Sequence, residues 1–290
     1  MTISRSKVRQ CALSFLYTYL TNGCQPVDTE LFWSIAQEKD RDYLRTALAQ
    51  AVLHACRDAV DSARLLADRL EQLENRMHGD LTTAVLRDEI ERYVAQSVAF
   101  DAALKSLQYS LGDKLRDSTA PLAQRTGDAL RLAAVVVAMG QELQPRFADF
   151  PAYRQQFDSL AAAMKRRARM LQVCAVFENP TELVQNKEYA GLGRHAQDMQ
   201  QLRPAVEELV REIIARIPQM ESRLESLLTN YSVERLDCVD KAILYISLYE
   251  LEQGLDVPIV VSESTALAHS FSGSKSAPFI HGIIAAAAKK

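Results

Sequence analysis

Apolar residues recur at three- and four-residue steps along most of the chain, which is the pattern of helices buried along one face. From about Ser4 to Thr21 the stripe is Val8, Cys11, Ala12, Phe15, Leu16 and Tyr19. A short helix from about Thr29 to Glu38 follows. A long one is then expected from about Arg41 to Arg76, carrying Leu44, Leu48, Val52, Ala55, Ala59, Leu66, Leu70 and Leu73 at the spacing of a close-packed seam. Further helical segments are expected near 81–110, 122–143, 154–177, 195–217 and 219–229, with Pro204 and Pro218 starting or interrupting the last two.

Toward the C-terminus, Val233, Leu236, Val239, Ile243 and Ile246 mark a helix from about Leu236 to Gln253, packed on one side. Glu234, Asp240, Lys241 and Glu250 fall outside its stripe. Asp237 stands where an N-cap carboxylate would accept from free backbone N–H groups, and Gly254 where a helix can end in a left-handed turn. The run Pro258 to Val261 is the one short strand-like stretch. A helix from Ser262 to about Phe271, a polar loop Ser272-Gly273-Ser274-Lys275-Ser276-Ala277-Pro278, and a last helix Phe279 to Ala288 before Lys289-Lys290 complete the chain. The expected fold class is all-α.

Punctuation agrees, because only ten glycines and nine prolines occur in 290 residues. A hydrophobic content of 48% can supply a sizeable core without covalent staples. The net charge of −3 gives no global attraction to nucleic acid or membrane, so any anion site must be local. Five scattered cysteines without a C-x-x-C pair fit a reducing compartment, and no apolar run is long enough to cross a bilayer. A cytoplasmic location is expected, and the Asn230-Tyr231-Ser232 sequon then carries no weight.

Local chemistry narrows the field. No phosphate-binding glycine loop, zinc-binding helix motif or serine nucleophile turn is present. His54, His78, His195, His269 and His281 stand far apart, none at metal-ligand spacing from a cysteine or carboxylate. Catalysis, a metal and a cofactor are therefore not expected. Arg5, Lys7 and Arg9 crowd the start of the first helix, where cations oppose the macrodipole and do not serve helix stability. Lys165-Arg166-Arg167-Ala168-Arg169 places four cations in five residues, which is either an exposed helical face or an auxiliary phosphate-tracking patch. The loop from Ser272 offers hydroxyls, N–H groups at a helix start and Lys275, a set that can hold a phosphate.

Two runs carry a family resemblance. Arg5-Ser6-Lys7-Val8-Arg9-Gln10-Cys11-Ala12-Leu13 with Leu16-Tyr17 looks like the arginine-rich opening of the NusB family of bacterial transcription antitermination factors. The run from Val233 through Glu250-Leu251, with Asp256-Val257-Pro258 and later Phe279-Ile280 and Gly282, resembles its C-terminal half. The resemblance covers about residues 1–38 and 200–288. It implies a compact NusB-like RNA-binding helical domain formed by 1–38 and 200–290, interrupted by a helical insertion over 39–199. A rival placement takes Arg41 to Leu73 as the family's third helix and moves the insertion to about 75–200.

Members of that family bind a short single-stranded boxA element of ribosomal RNA leader together with the ribosomal protein NusE, within an RNA polymerase antitermination complex. On this resemblance the RNA-facing residues are Arg5, Lys7, Arg9, Tyr17, Lys275, Ser276 and Phe279, and Glu234 and Asp240 face the basic protein partner. A homodimer that hides the basic face is compatible with it, and no membrane partner is implied. Ser6 stands where relatives usually keep another arginine, and His281 and Ala285 replace an Asn and an Asp of the family's ending. A helical scaffold with a decayed RNA site is the alternative. An RNA methyltransferase, in which a NusB-like domain precedes a catalytic one, would need an α/β cofactor-binding domain that the pattern lacks.

Overall fold

The helical stripes close into helices throughout a computed structural model that describes residues 3–57, 62–77, 79–113, 118–228, 231–273 and 275–289. Ala59, His78, Asn230, Ser274 and Lys290 lie outside the described residues. In order, the α-helices are α1 (Arg5–Thr21), α2 (Thr29–Ala36), α3 (Glu38–Ala55), α4 (Ser62–Met77), α5 (Ala84–Gly112), α6 (Ala120–Leu143), α7 (Arg154–Gln172), α8 (Ala190–Glu225), α9 (Cys238–Glu252), α10 (Val257–Phe271) and α11 (Ser276–Ala287), joined in places by short 3₁₀ turns. Among the described residues there is no β-strand. No helix is long and apolar enough to cross a membrane among those residues.

The chain divides into two compact units, one of residues 1–38 and 198–290 and one of residues 39–197. In the first, Ala12, Leu13, Phe15 and Leu16 of α1 share a core with Val206, Val210 and Ile213 of α8, with α9, and with Ile280 and Ile284 of α11. α1 packs on α9, and α10 packs on both α9 and α11. In the second, α5 packs on α6, α4 on α5 and α7, and α6 on α7, around Leu86, Ile90, Phe100, Leu104, Phe157 and Leu160.

Several elements differ from the periodicity reading. The single helix expected over 41–76 is two, α3 and α4. Neither Gly nor Pro stands between Ala55 and Ser62 to mark the change. The segments 195–217 and 219–229 are one helix, α8, with Pro204 and Pro218 inside it. An internal proline costs about 3 kcal/mol. Leu202, Val206, Val210, Ile213, Met220 and Leu224 keep one buried face across both prolines, and each such side chain returns about 1.5–3 kcal/mol. The strand-like Pro258 to Val261 run is the first turn of α10, where Pro258 sits at a position whose N–H needs no partner. α11 starts at Ser276 rather than Phe279, and α7 ends at Gln172 before a 3₁₀ turn, Val173–Phe177.

α9 is the largest departure. The seven residues from Ala242 to Leu248 are all buried, so the helix is covered on every side rather than on one stripe. Leu244, Tyr245 and Leu248, which lie off the stripe, are themselves apolar enough to make it a central helix. Its buried hydroxyls are answered, since Ser247 donates to the Ile243 carbonyl at 2.7 Å and Tyr245 to the Glu221 carboxylate at 2.9 Å. Burial and then that bond push the phenol's pKa up. The Asp237 carboxylate caps the helix by accepting from the Val239 N–H at 2.8 Å, and Gly254 ends it at φ +78°.

Candidate nucleic-acid interface

An open cleft of about 480 Å³ in the first unit is lined by Tyr17 and Thr21 of α1, by Asp237, Cys238 and Val239 at the start of α9, and by Phe271, Ser272 and Gly273 after α10. Two aromatic rings reach solvent here, Tyr17 at 44% exposure and Phe271 at 46%. α1 presents Tyr17 because Ala12 and Phe15 hold the opposite face in the core.

The loop that closes the cleft is held from below. Asp240, on the first turn of α9, is buried and accepts hydrogen bonds from the Ser272 hydroxyl at 2.6 Å and the Ser276 hydroxyl at 3.0 Å. The two hydroxyls are 2.9 Å apart. Ser272 and Ser276 are therefore engaged with one carboxylate, and Lys275, between them, projects outward as the exposed N-cap of α11. The expectation that Asp240 faces a protein partner is corrected by this arrangement. Its carboxylate faces the interior and shapes the very loop that Ser276 and Lys275 belong to. Charge-assisted bonds of this kind are worth about 1.5–3 kcal/mol each against an unmade bond. Asp240→Ala is accordingly expected to lower the urea-unfolding free energy by about 1–3 kcal/mol; an unchanged midpoint would show that the loop holds itself.

The cations at the chain start do not act alike. Arg5 is exposed and Lys7 half-buried. Arg9 is 3% exposed, with Nε donating to Glu250 at 2.7 Å and Nη1 lying 3.1 Å from Glu263. The expectation of an open phosphate contact at Arg9 is corrected: Glu250 of α9 and Glu263 of α10 neutralise it, and it clamps α1 onto both. Burial raises the Glu250 pKa, and the Arg9 bond opposes that rise. Glu250 is thereby drawn inward from the polar face expected for it. About 18 Å of helix separates Arg5 from Tyr17 at 1.5 Å per residue, so the exposed cation at the helix start and the cleft are distinct ends of one surface.

Phe279 is half-buried, its ring 6.5 Å from Tyr231 in an edge arrangement. Arg235 lies over Tyr231 at 5.9 Å, and the Tyr231 hydroxyl donates to the Arg235 carbonyl at 3.1 Å. Glu234 is exposed on the 3₁₀ turn Val233–Arg235 ahead of α9. Phe271, Tyr231 and Arg235 were not singled out from sequence. An aromatic residue directly before the Ser/Gly loop, and one six residues before the α9 cap, were the available signals. Among the described residues no group of His, Cys, Asp and Glu could hold a metal ion.

The first unit is thus all-helical, with solvent-facing aromatics, a loop tethered to Asp240, and exposed cations at Arg5 and Lys275. Residues 164–289 match the NusB family. A protein of Bacillus pumilus named transcription antitermination protein NusB is 32% identical over 124 residues, 42% of this chain and 92% of that protein. The protein of the same name from Mannheimia succiniciproducens is 32% identical over 127 residues, 41% of this chain and 85% of its own. The one from Halothermothrix orenii is 37% identical over 79 residues, 27% of this chain and 59% of that protein. No solved structure matches the chain. This chain belongs to the NusB family.

Proposed function

We propose that the chain is a non-enzymatic transcription antitermination factor that binds boxA-type single-stranded ribosomal leader RNA together with the ribosomal protein NusE, with residues 39–199 as a helical insertion in the NusB-like domain. The observation that carries the reading is the cleft between Tyr17 and Phe271, bordered by Ser272 and Gly273. Exposed rings stack on unpaired bases at about 1–3 kcal/mol per base. Arg5, Lys7 and Lys275 would neutralise phosphates, while Arg9 positions α1 and Asp240 positions the loop. Glu234, exposed, stays available to a basic partner, and Phe279 supports the surface through Tyr231.

Titration of boxA-like RNA against a scrambled control, with and without NusE, tests this. Preference for boxA and tighter binding with NusE are expected; equal weak affinity for both RNAs would sink it. With three phosphate contacts, log K should fall with log salt at a slope near −2, from about 0.7 per phosphate on a single strand. Lys275→Ala should flatten that slope by about 0.7. Asp240→Ala, which removes no phosphate contact, should weaken binding and leave the slope alone.

The burial of Arg9 favours a second reading, a helical scaffold whose RNA site has decayed, because one of the three N-terminal cations is spent on Glu250 and Glu263. Arg5→Ala combined with Lys275→Ala separates the two, since both side chains are exposed and their loss leaves the core intact. No change in RNA affinity on that double substitution would favour the scaffold.

A further inference from the structure

The second unit contains a buried pair of thiols that the RNA-binding reading does not use. Cys56 directly follows the end of α3 and is fully buried; Cys174, in the 3₁₀ turn after α7, is 2% exposed. Their sulfurs are 3.0 Å apart although 118 residues separate them in sequence. A disulfide bond is about 2.05 Å long, so closure needs about 1 Å of movement. None of the five cysteines is in a disulfide.

We propose that Cys56 and Cys174 form a redox modification site, a dithiol that a small hydroperoxide such as hydrogen peroxide converts to an intramolecular disulfide. The environment divides the roles. The hydrogen bond from Cys174, and behind it the Arg167 guanidinium, hold the Cys56 thiol below its ordinary pKa against the effect of burial. The same hydrogen bond, with burial and the neighbouring Cys56 charge, pushes Cys174 up. Cys56 is thus the attacking thiolate and Cys174 the resolving thiol. The Cys56 sulfur attacks one peroxide oxygen; the S–O bond forms, the O–O bond breaks, and hydroxide leaves to become water on taking a proton. The Cys174 sulfur then bonds to the Cys56 sulfur, displacing the sulfenic oxygen as a second water with the Cys174 proton. Two electrons pass from the pair to the peroxide. Both cysteines stand at element ends, which open at lower free energy than helix interiors and give a small neutral oxidant access.

The bond would tie the end of α3 to the turn after α7 and close a loop of more than a hundred residues within one unit. In the chain-entropy account, such a closure raises the thermal midpoint by on the order of 10 °C for a unit of this size.

The test uses the full chain carrying Cys24→Ser, which removes the exposed thiol. After stoichiometric hydrogen peroxide, mass spectrometry without reductant should show a monomer lighter by two hydrogen atoms, with the Cys56 and Cys174 peptides joined. The midpoint should rise and return with dithiothreitol. Cys174→Ser should instead leave a Cys56 sulfenic acid that dimedone traps. The proposal is overturned if both thiols remain alkylatable under denaturant after oxidation, or if oxidation is confined to Cys11 or Cys238. Because the peptide mapping needs neither buried cysteine replaced, poor folding of Cys174→Ser would leave the decision intact.

Discussion

Replacing Arg9 with alanine is expected to cost the first unit about 3–5 kcal/mol, the usual penalty for removing one partner of a buried ion pair. The guanidinium bonds to Glu250 at 2.7 Å and faces Glu263 at 3.1 Å, and the side chains of Arg9 and Glu250 are 4% and 12% exposed. Without Arg9, Glu250 holds a charge in a site that already disfavours it. The pH dependence follows from the direction of the Glu250 shift. Its pKa is raised above the ordinary 4.5, so the folded state binds its proton more tightly than the unfolded state does. The stability it contributes is present below about pH 4.5 and is lost as pH rises through the folded pKa. Arg9→Ala removes a group that lowers that pKa, so the window widens upward. The loss should be smallest near pH 4 and grow toward neutrality. Urea unfolding at several pH values, followed by tryptophan fluorescence at Trp33 in the same core, would measure it. A loss independent of pH would show that packing of the Arg9 stem, not its charge, is what counts.

Asp101→Ala should be comparably severe in the second unit. Arg167 is fully buried, donates from Nη2 to Asp101 Oδ1 at 2.8 Å and to the Ser97 carbonyl at 2.8 Å, and lies over the Phe100 ring at 5.6 Å. Truncating the carboxylate leaves a buried guanidinium without its countercharge, again a loss of about 3–5 kcal/mol. Arg167→Met together with Asp101→Leu should recover most of it, because a buried pair replaced by apolar groups of similar volume is often neutral. Thermal unfolding of the single and double variants decides this; a double variant as unstable as Asp101→Ala would mean that the pair supplies more than mutual neutralisation. Tyr93 borders the same charge, its pKa pushed up to about 12 by burial even though Arg167 pulls the other way.

Periodicity made the all-helical fold legible in the sequence, while the family was legible only as a resemblance of two residue runs, Arg5 to Tyr17 and Val233 to Gly282. The stripe of α1 and the Asp237 cap of α9 follow from local rules that side chains at three- and four-residue spacing express directly. The centrality of α9 does not, because a helix with one apolar stripe and apolar residues beyond it reads the same until its neighbours are known. Pro204 and Pro218 misled for a related reason: local cost signals a break, and burial on both sides overrides it. At the candidate site, Tyr17, Lys275 and Ser276 were legible as residue types suited to RNA. The state of Arg9 was not, since a guanidinium at position 9 looks the same whether it meets water or two carboxylates from residues 241 and more positions away. The run Lys165 to Arg169 shows the same limit within five residues, for Arg167 turns into the core while Lys165, Arg166 and Arg169 face solvent.

The separation of Arg9 from Glu250, 241 positions along the chain, also sets an order of events during synthesis. At ribosomal rates of about 5–20 residues per second, α1 emerges on the order of 10–50 s before its carboxylate partner exists. Residues 39–197 can complete their own core in that interval, while the stripe of Ala12, Leu13 and Leu16 has only the ribosome, a chaperone or water to lie against. Nascent-chain proteolysis should therefore find α1 cleavable long after the second unit is protected, and protected only once α9 and α10 have left the exit tunnel.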